Sequence, residues 1–327
     1  MVTDEEAMRR AIEAAAGARV VAHPNPWVGC VLLTPSGRVV VGATHAPGGP
    51  HAEVHALSLA GPDAAGGTAI VTLEPCSHHG RTGPCVDALI AAGVRRVVIG
   101  VLDPDARVSG QGVAALEAAG VEVEVGVHAD EIETQLAPYL HHRRTGRPYV
   151  VAKLGATLDG RTAAPDGTSQ WITGPAARSD AHLLRAESDA VVVGAGTVRV
   201  DDPALTTRHV DGPDPARIVL GAAPEGAAVH PCREFRGALT DLLDELGAEG
   251  MVQVLVEGGA TVASDFHRAG LVDRWVLYLA PALFGGDDAL GLFTGPGAAT
   301  IDDVWRGRID GIRRLGDDVR IDVVAAT

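Results

Sequence analysis

The chain begins with an amphipathic stretch. In "DEEAMRRAIEAAAGA" (4–18) apolar residues recur every three or four positions, which predicts a helix. Thr3 followed by Glu6 resembles a capping box, and acids fill the first turn, where a helix's positive end favours them. Two β-like runs follow, "VGCVLLT" (28–34) and "RVVVGAT" (38–44), joined at "PSG" as a hairpin. Apolar strands then alternate with helical segments. The strands are "TAIVTL" (68–73), "RRVVIGVL" (95–102) and "VEVEVGV" (121–127), and the helices lie near 51–60, 84–92 and 111–119. This rhythm predicts a partly parallel sheet between layers of helices. "HHRRTGRPYV" (141–150) reads as a helix end and a linker, its basic run a solvated cap at the helix's negative end. A second alternating series follows: "PYVVAKLGATLDG", "DAVVVGAGTV" (189–198), "ARIVLG" (216–221), "MVQVLVEGGATVASDFHRAG" (251–270) and "RWVLYLAP" (274–281). No repeat of fixed period is visible. The pattern predicts two α/β domains, 1–146 and 147–327.

A length of 327 residues suits two domains, each long enough to bury its own core. The net charge of −15 argues against nucleic acid as a partner and leaves room for a local basic pocket. The opening "MVTDEEAMRR" lacks the apolar core of a signal peptide, and no uncharged apolar run approaches the roughly 20 residues of a membrane span. A cytoplasmic protein is expected, with no membrane partner. The oligomeric state is left open, a homo-oligomer being compatible. Four cysteines in so long a chain make no disulfide framework and suggest metal or catalytic use.

"GGPHAEVHAL" (48–57) and "TLEPCSHHGRTGPC" (72–85) carry that use. Pro50 suits a first helical turn, which puts His51 and Glu53 in the opening turn of a helix; Pro84 does the same for Cys85. Two helix N-termini aimed at one ion favour thiolate ligands. His51, Cys76 and Cys85 make three protein ligands where zinc prefers four, and the open position is what catalysis requires. Water there becomes acidic near neutral pH, and Glu53 is placed to carry protons. The alternative is a closed structural site with His55, His78 or His79 as the fourth ligand, which leaves Glu53 without a task. The zinc-protease spacing is excluded, because Ala52 follows His51 where that pattern needs Glu. Cys30 and Cys232 read as packing or surface residues.

His-x-Glu followed by Pro-Cys and a second Cys resembles the zinc nucleobase deaminases, with eight residues between the cysteines instead of two. "HPNPWVGCV" (23–31), "HAEVHAL" and "TLEPCSHHGRTGPC" together resemble the deaminase half of the bifunctional riboflavin-biosynthesis enzymes. "KLGATLDGRTA" (153–163), "SQWITG" (169–174), "DDPALTTR" (201–208) and "VEGGATVASDF" (256–266) are similar to the reductase half. The resemblance covers essentially the whole chain. It implies an N-terminal cytidine-deaminase-like α/β/α sandwich and a C-terminal dihydrofolate-reductase-like α/β domain. It also implies zinc-dependent deamination of 2,5-diamino-6-ribosylamino-4(3H)-pyrimidinone 5′-phosphate, then NADPH-dependent reduction of the ribosyl group to ribityl.

By the same resemblance Asn25 contacts the pyrimidine; a turn former between two prolines is the other reading. Ala156, Trp171, Thr197, Asp201 and the turn from Gly259 are implied as cofactor contacts, and Ser169, Arg185, Leu205, Arg208 and Glu257 as substrate contacts. Two arginines suit a sugar phosphate. Lys153, an amine on an apolar strand, faces the reacting sugar or snorkels to the surface. Arg185 is otherwise a solvated helix residue, Arg208 a loop charge, Trp171 a core aromatic and Asp201 a turn former. The strand–Gly-Gly–helix at 251–270 is either a phosphate cradle or an ordinary βα connection. "GAGTV" has Arg199 where a dinucleotide fingerprint needs its third glycine, so a Rossmann site is not indicated. Residues 219–235 look shorter than in many relatives and carry Ala222 where a polar cofactor contact is expected. Two other functions compete: a nucleoside or tRNA-base deaminase whose C-terminal half serves assembly, and a zinc-stabilised interaction module.

Overall fold

The computed structural model describes residues 2–78, 83–105 and 108–326. The chain separates into two compact units, Met1–Gly146 and Arg147–Thr327. The first contains α1 (Asp4–Ala22), β1 (Gly29–Leu33), β2 (Val39–Ala43), α2 (Ala52–Ala60), β3 (Thr68–Leu73), α3 (Cys85–Ala91), β4 (Arg96–Val101), α4 (Gln111–Ala118), β5 (Glu122–Val125), α5 (Ala129–Gln135) and α6 (Ala137–Thr145). Thr3 caps α1, its hydroxyl accepting the Glu6 N–H at 3.2 Å. The strands form one sheet in the order β2-β1-β3-β4-β5. β1 runs antiparallel to β2 and β3, whereas β3, β4 and β5 are parallel. β3 and β4 are buried almost throughout, in keeping with their mostly apolar runs, as in strands covered on both faces.

Two glycines let the helices close on this sheet. A Cβ on Gly29 would lie 1.8 Å from the Ala11 carbonyl oxygen of α1, and one on Gly42 2.4 Å from the Ala52 oxygen of α2. Gly42 pairs with Cys30, the neighbour of Gly29. Successive strand residues face opposite sides, so α1 and α2 cover opposite faces. The first unit is an α/β/α sandwich.

The second unit contains β6 (Tyr149–Thr157), β7 (Arg161–Ala163), α7 (Pro175–Ala186), β8 (Ala190–Gly194), α8 (Ala195–Asp201), β9 (Ala216–Leu220), β10 (Arg233–Phe235), α9 (Leu239–Ala248), β11 (Gln253–Val256) and α10 (Ala260–Arg268). β12 (Arg274–Ala280), β13 (Leu290–Gly291), β14 (Gly307–Leu315) and β15 (Asp318–Ala325) complete it. Its main sheet has the order β10-β9-β8-β11-β6-β12-β15-β14, while β7 pairs with β13 apart from it. From β10 to β12 the neighbours are parallel; β15 and β14 add an antiparallel edge. One face packs Val150, Val254 and Val256 with Leu242 of α9 and Phe266 of α10. The other packs Val151, Val191 and Leu255 with Leu184 of α7 and Val198 of α8. Among the described residues, no helix is long and apolar enough to cross a membrane.

Candidate active sites

In the first unit the chemistry collects where β3 ends and two helices begin. His51 is the N-cap of α2, one residue before the turn that Pro50 predicts, and its ring makes no capping bond. Instead Nδ1 lies 3.6 Å from the Cys76 Sγ and 3.3 Å from the Cys85 Sγ. Cys76 follows β3 in the Glu74–Pro75–Cys76 segment, and Cys85 opens α3 after Pro84, as its position predicts. The backbone N–H of Cys85 donates to the Cys76 sulfur at 3.4 Å. The three donor atoms lie within 4.8 Å of one another. A tetrahedral zinc with ordinary Zn–N and Zn–S bonds would hold nitrogen and sulfur about 3.6 Å apart, so this donor set fits that ion. A hydrogen bond from Cys85 holds the Cys76 thiol down at about 4, with His51 adding to the effect; the same bond pushes Cys85 up. The Cys76 contact raises His51 above its usual value.

Glu53 stands in the first turn of α2 with 4% of its surface exposed. Burial, then the neighbouring Cys76, pushes its carboxyl up to about 7. A carboxyl near the midpoint of its titration both takes and gives protons at neutral pH, the property a shuttle needs. A cavity of about 170 Å³ opens onto His51, Glu53 and Cys76, with Asn25 in its wall. His55 is turned away: its Nδ1 accepts the Ala43 N–H at 3.2 Å and lies 3.1 Å from His45 Nε2. His78 reaches the cavity wall, but it is not in the donor cluster; His79 lies outside the described residues. Cys30 is buried on β1, its thiol pushed up by burial, and Cys232 sits half-buried in the second unit.

The remaining cavity wall was not legible from motifs. Asp103 and Asp105 follow β4, and Tyr139 and Arg143 come from α6. The Tyr139 hydroxyl donates to Asp103 at 2.9 Å, and the Arg143 guanidinium lies 5.1 Å from the Tyr139 ring centre. Arg143 belongs to the basic run read as a solvated cap; the fold carries it back to the pocket and within 3.8 Å of Asp105.

In the second unit the expected contacts gather at the C-terminal ends of the parallel strands, the usual ligand edge of such sheets. Lys153 and Ala156 lie on β6, Thr197 in the first turn of α8, Glu257 after β11, and Gly259 caps α10. A Cβ on Gly259 would sit 3.2 Å from the Thr197 hydroxyl, so the two βα turns adjoin. Arg185 is not a solvated residue. Nε and Nη2 donate to the two Glu257 oxygens at 2.5 and 2.9 Å, and Nη1 donates to the Thr206 carbonyl at 3.0 Å. Burial pushes the Glu257 carboxyl up, but Arg185 outweighs it and leaves the group below its usual range, with Lys153 adding to the effect. Lys153 is half-buried, its Nζ 5.8 Å from the Tyr278 ring centre.

Trp171 is 69% exposed and stacked by the Arg178 guanidinium at 4.5 Å, so it is no core aromatic. Ser169 is half-buried, Leu205 is buried at a positive φ of 52°, and Asp201 ends α8. Ala222 is exposed just past β9. One residue escaped the sequence reading. His182, one turn before Arg185 on α7, accepts the Arg208 N–H at Nδ1 (3.0 Å). Burial, then Arg185 and Arg208, lowers it to about 4, so it is neutral and fixes the loop that leaves the Arg208 side chain exposed.

An imidazole and two cysteine sulfurs with an adjacent carboxyl, on an α/β/α sandwich and joined to a second mostly parallel α/β unit, define a two-domain protein of the zinc-deaminase class. Comparison with known proteins agrees and goes further. Residues 1–101 match the cytidine and deoxycytidylate deaminase zinc-binding region, and residues 148–321 match the RibD C-terminal domain. The riboflavin biosynthesis protein RibD of Escherichia coli is 41% identical, covering 99% of this chain and 100% of its own. RibD of Mycobacterium tuberculosis is 42% identical, with 98% and 97% covered. Among solved structures, a RibD from Acinetobacter baumannii superimposes with a TM-score of 0.92 at 36% identity, covering 99% of each chain. A diaminohydroxyphosphoribosylaminopyrimidine deaminase/5-amino-6-(5-phosphoribosylamino)uracil reductase from Thermotoga maritima gives 0.88 at 32% identity, again over 99% of each. The chain belongs to the RibD family of bifunctional riboflavin-biosynthesis enzymes.

Proposed function

We propose that the chain carries out two consecutive reactions on one phosphorylated pyrimidine. Residues 1–146 remove an amino group from 2,5-diamino-6-ribosylamino-4(3H)-pyrimidinone 5′-phosphate. Residues 147–327 then reduce the ribosyl group of the product to ribityl with NADPH. The observation that carries the first step is the fit of His51, Cys76 and Cys85 to one zinc ion beside the buried Glu53. Bound there, zinc would lower the pKa of a water in its open position towards neutrality. Glu53 accepts the proton that the attacking water loses and returns it to the departing ammonia. Asn25, on the same cavity, orients the ring through its amide. The free thiols of the ligand set suit a reducing, cytoplasmic compartment.

For the second step, Ala156, Trp171, Thr197, Asp201 and Gly259 line the nicotinamide cofactor. Lys153, Ser169, Leu205, Arg208 and Glu257 hold the sugar phosphate. Arg185 acts chiefly through Glu257, because three of its five N–H donors are taken up by Glu257 and Thr206. Arg208, exposed and tethered by its backbone to His182, is the guanidinium available to phosphate. Hydride transfer then depends chiefly on alignment of the two carbons and exclusion of water.

A coupled assay tests both steps: purified protein with the diaminopyrimidine phosphate and NADPH, following ammonia and NADPH together. The expected result is one ammonia released per NADPH oxidised. Ammonia without NADPH consumption would overturn the second half of the reading, and neither signal would overturn it all.

A further inference from the structure

Glu74 stands between β3 and Cys76, 3% exposed, and has no catalytic task in the scheme above. Its carboxylate takes four backbone N–H groups. Oε2 accepts from Asp103 at 3.3 Å and Gly110 at 3.0 Å; Oε1 accepts from Gly112 at 2.9 Å and Val113 at 3.3 Å. Among the described residues no ion pair to a cationic side chain accompanies them. Gly110 is the N-cap of α4 and offers no side chain to the amides of the first turn. Glu74 supplies the missing acceptor from another element, at the helix end where negative charge is favoured.

The contact is tight as well as polar. A Cβ on Gly112 would lie 2.3 Å from the Pro75 carbonyl oxygen and 3.0 Å from Glu74 Oε1, so only glycine allows this approach. The clamped segment is the one that walls the cavity: Asp103, Asp105 and Val108 all face it, together with His51, Glu53 and Cys76. Asp103 in turn accepts from the Asp105 N–H and the Tyr139 hydroxyl, each at 2.9 Å. One carboxylate thus ties the cavity wall to the strand end that delivers a metal ligand.

We propose that Glu74 is a positioning residue of the deaminase, holding Asp103 and residues 108–113 at a fixed distance from the His51–Cys76–Cys85 cluster so that Asp103, Asp105 and Val108 meet the pyrimidine substrate. The proposal rests on the deaminase reading given above. Glu74→Gln keeps the shape but turns an amide NH2 towards backbone N–H groups, and Glu74→Ala removes both acceptors. Gly112→Ala leaves the carboxylate in place and forces the two segments apart. The test measures zinc content, amide hydrogen exchange at residues 110–113, and kcat and KM for ammonia release in all three variants.

The expected result is zinc retained, faster exchange at those amides, and KM raised about tenfold or more with kcat little changed. Glu74→Ala should exceed Glu74→Gln, and Gly112→Ala should reproduce the pattern. Unchanged exchange and KM would overturn the proposal. Loss of zinc with KM unaltered would also overturn it, since Glu74 would then serve the metal ligands. A protein that no longer folds in its first unit, or that loses reduction of the deaminated pyrimidine as well, would mark Glu74 as a general fold residue and likewise count against it. Were the wild type to release no ammonia, the deaminase reading would fall on its own, and exchange at 110–113 would still decide whether Glu74 holds the segment.

Discussion

At the scale of single residues, burial sets the chemistry. Glu53 is pushed up to about 7 because its carboxylate is desolvated beside a sulfur, whereas Glu257, also removed from most water, stays low because a guanidinium grips both oxygens. Replacing Glu53 by Gln removes the proton carrier but leaves the three ligands. Ammonia release should fall by about 10²–10⁴-fold with zinc content unchanged, measured by metal analysis beside a steady-state assay. His182 gives a pH prediction. It stays neutral in the folded chain down to about 4, while the unfolded chain protonates it near 6.5. Its contribution to stability is therefore whole above that value and is lost progressively as pH falls from about 6.5 towards 4. His182→Asn keeps an acceptor for the Arg208 N–H without the titration, so its melting temperature should drop less between pH 7.5 and 5, to about those limits, than the wild type's. An equal drop in both would exclude His182 as a source.

At the scale of elements, periodicity reads well where one kind of face is buried and poorly where charge is buried instead. β3 and β4 coincide with the apolar runs "TAIVTL" and "RRVVIGVL" to within a residue or two, because both faces are covered. β15 was not legible for the opposite reason. In "DVRIDVVA" the alternation is present, but Asp318, Arg320 and Asp322 are the buried positions while Val319 and Ile321 are only half-buried. The inversion is stable because Arg320 donates to both Asp322 oxygens at 2.9 and 2.7 Å and to Asp180 of α7 at 2.6 Å. Tyr278 of β12 also donates to Asp180, at 2.6 Å. Removing this cation leaves Asp322 with Arg274 alone at 3.1 Å, and Asp180 with the Tyr278 hydroxyl and the exposed Arg313 at 3.4 Å, so Arg320→Ala should destabilise the second unit by about 3 kcal/mol in urea unfolding. A loss below about 1 kcal/mol would mean that water and the remaining arginines already satisfy this network.

The candidate site divides along similar lines. Short motifs fix His51, Glu53, Cys76 and Cys85, because a metal needs particular donor types and each sits in its own recognisable motif. Arg143 and Tyr139 could not be found that way: they reach the cavity only because α6 returns to it, 54 or more residues after Cys85 in the sequence. Glu74 did leave a signal, an acid directly after the mostly apolar β3, but only the fold reveals the four amides it holds. Arg185 was placed against substrate by resemblance, and no pattern in "AHLLRAESD" announces its pairing with Glu257.

At the scale of the whole molecule, two units with separate cores carry separate chemistries. The activities should therefore be separable by single substitutions. Arg208→Ala should weaken reduction of the deaminated pyrimidine by about tenfold or more, through loss of a charge-assisted contact, and leave ammonia release at the wild-type rate. Glu53→Gln should do the reverse. If either substitution abolished both activities, the two units would not be working as independent catalysts. The net charge of −15 fits a small-molecule enzyme whose anionic substrate is gathered by a few placed arginines rather than by a basic surface.

The central claim concerns one ion with three protein ligands and one position left for water, and X-ray absorption at the zinc edge addresses it most directly. One zinc per chain is expected, bound by two sulfurs near 2.3 Å, one imidazole nitrogen near 2.0 Å and one further light atom, values to about 0.1 Å. A second imidazole or a third sulfur in the shell, or a purified protein without zinc, would contradict it.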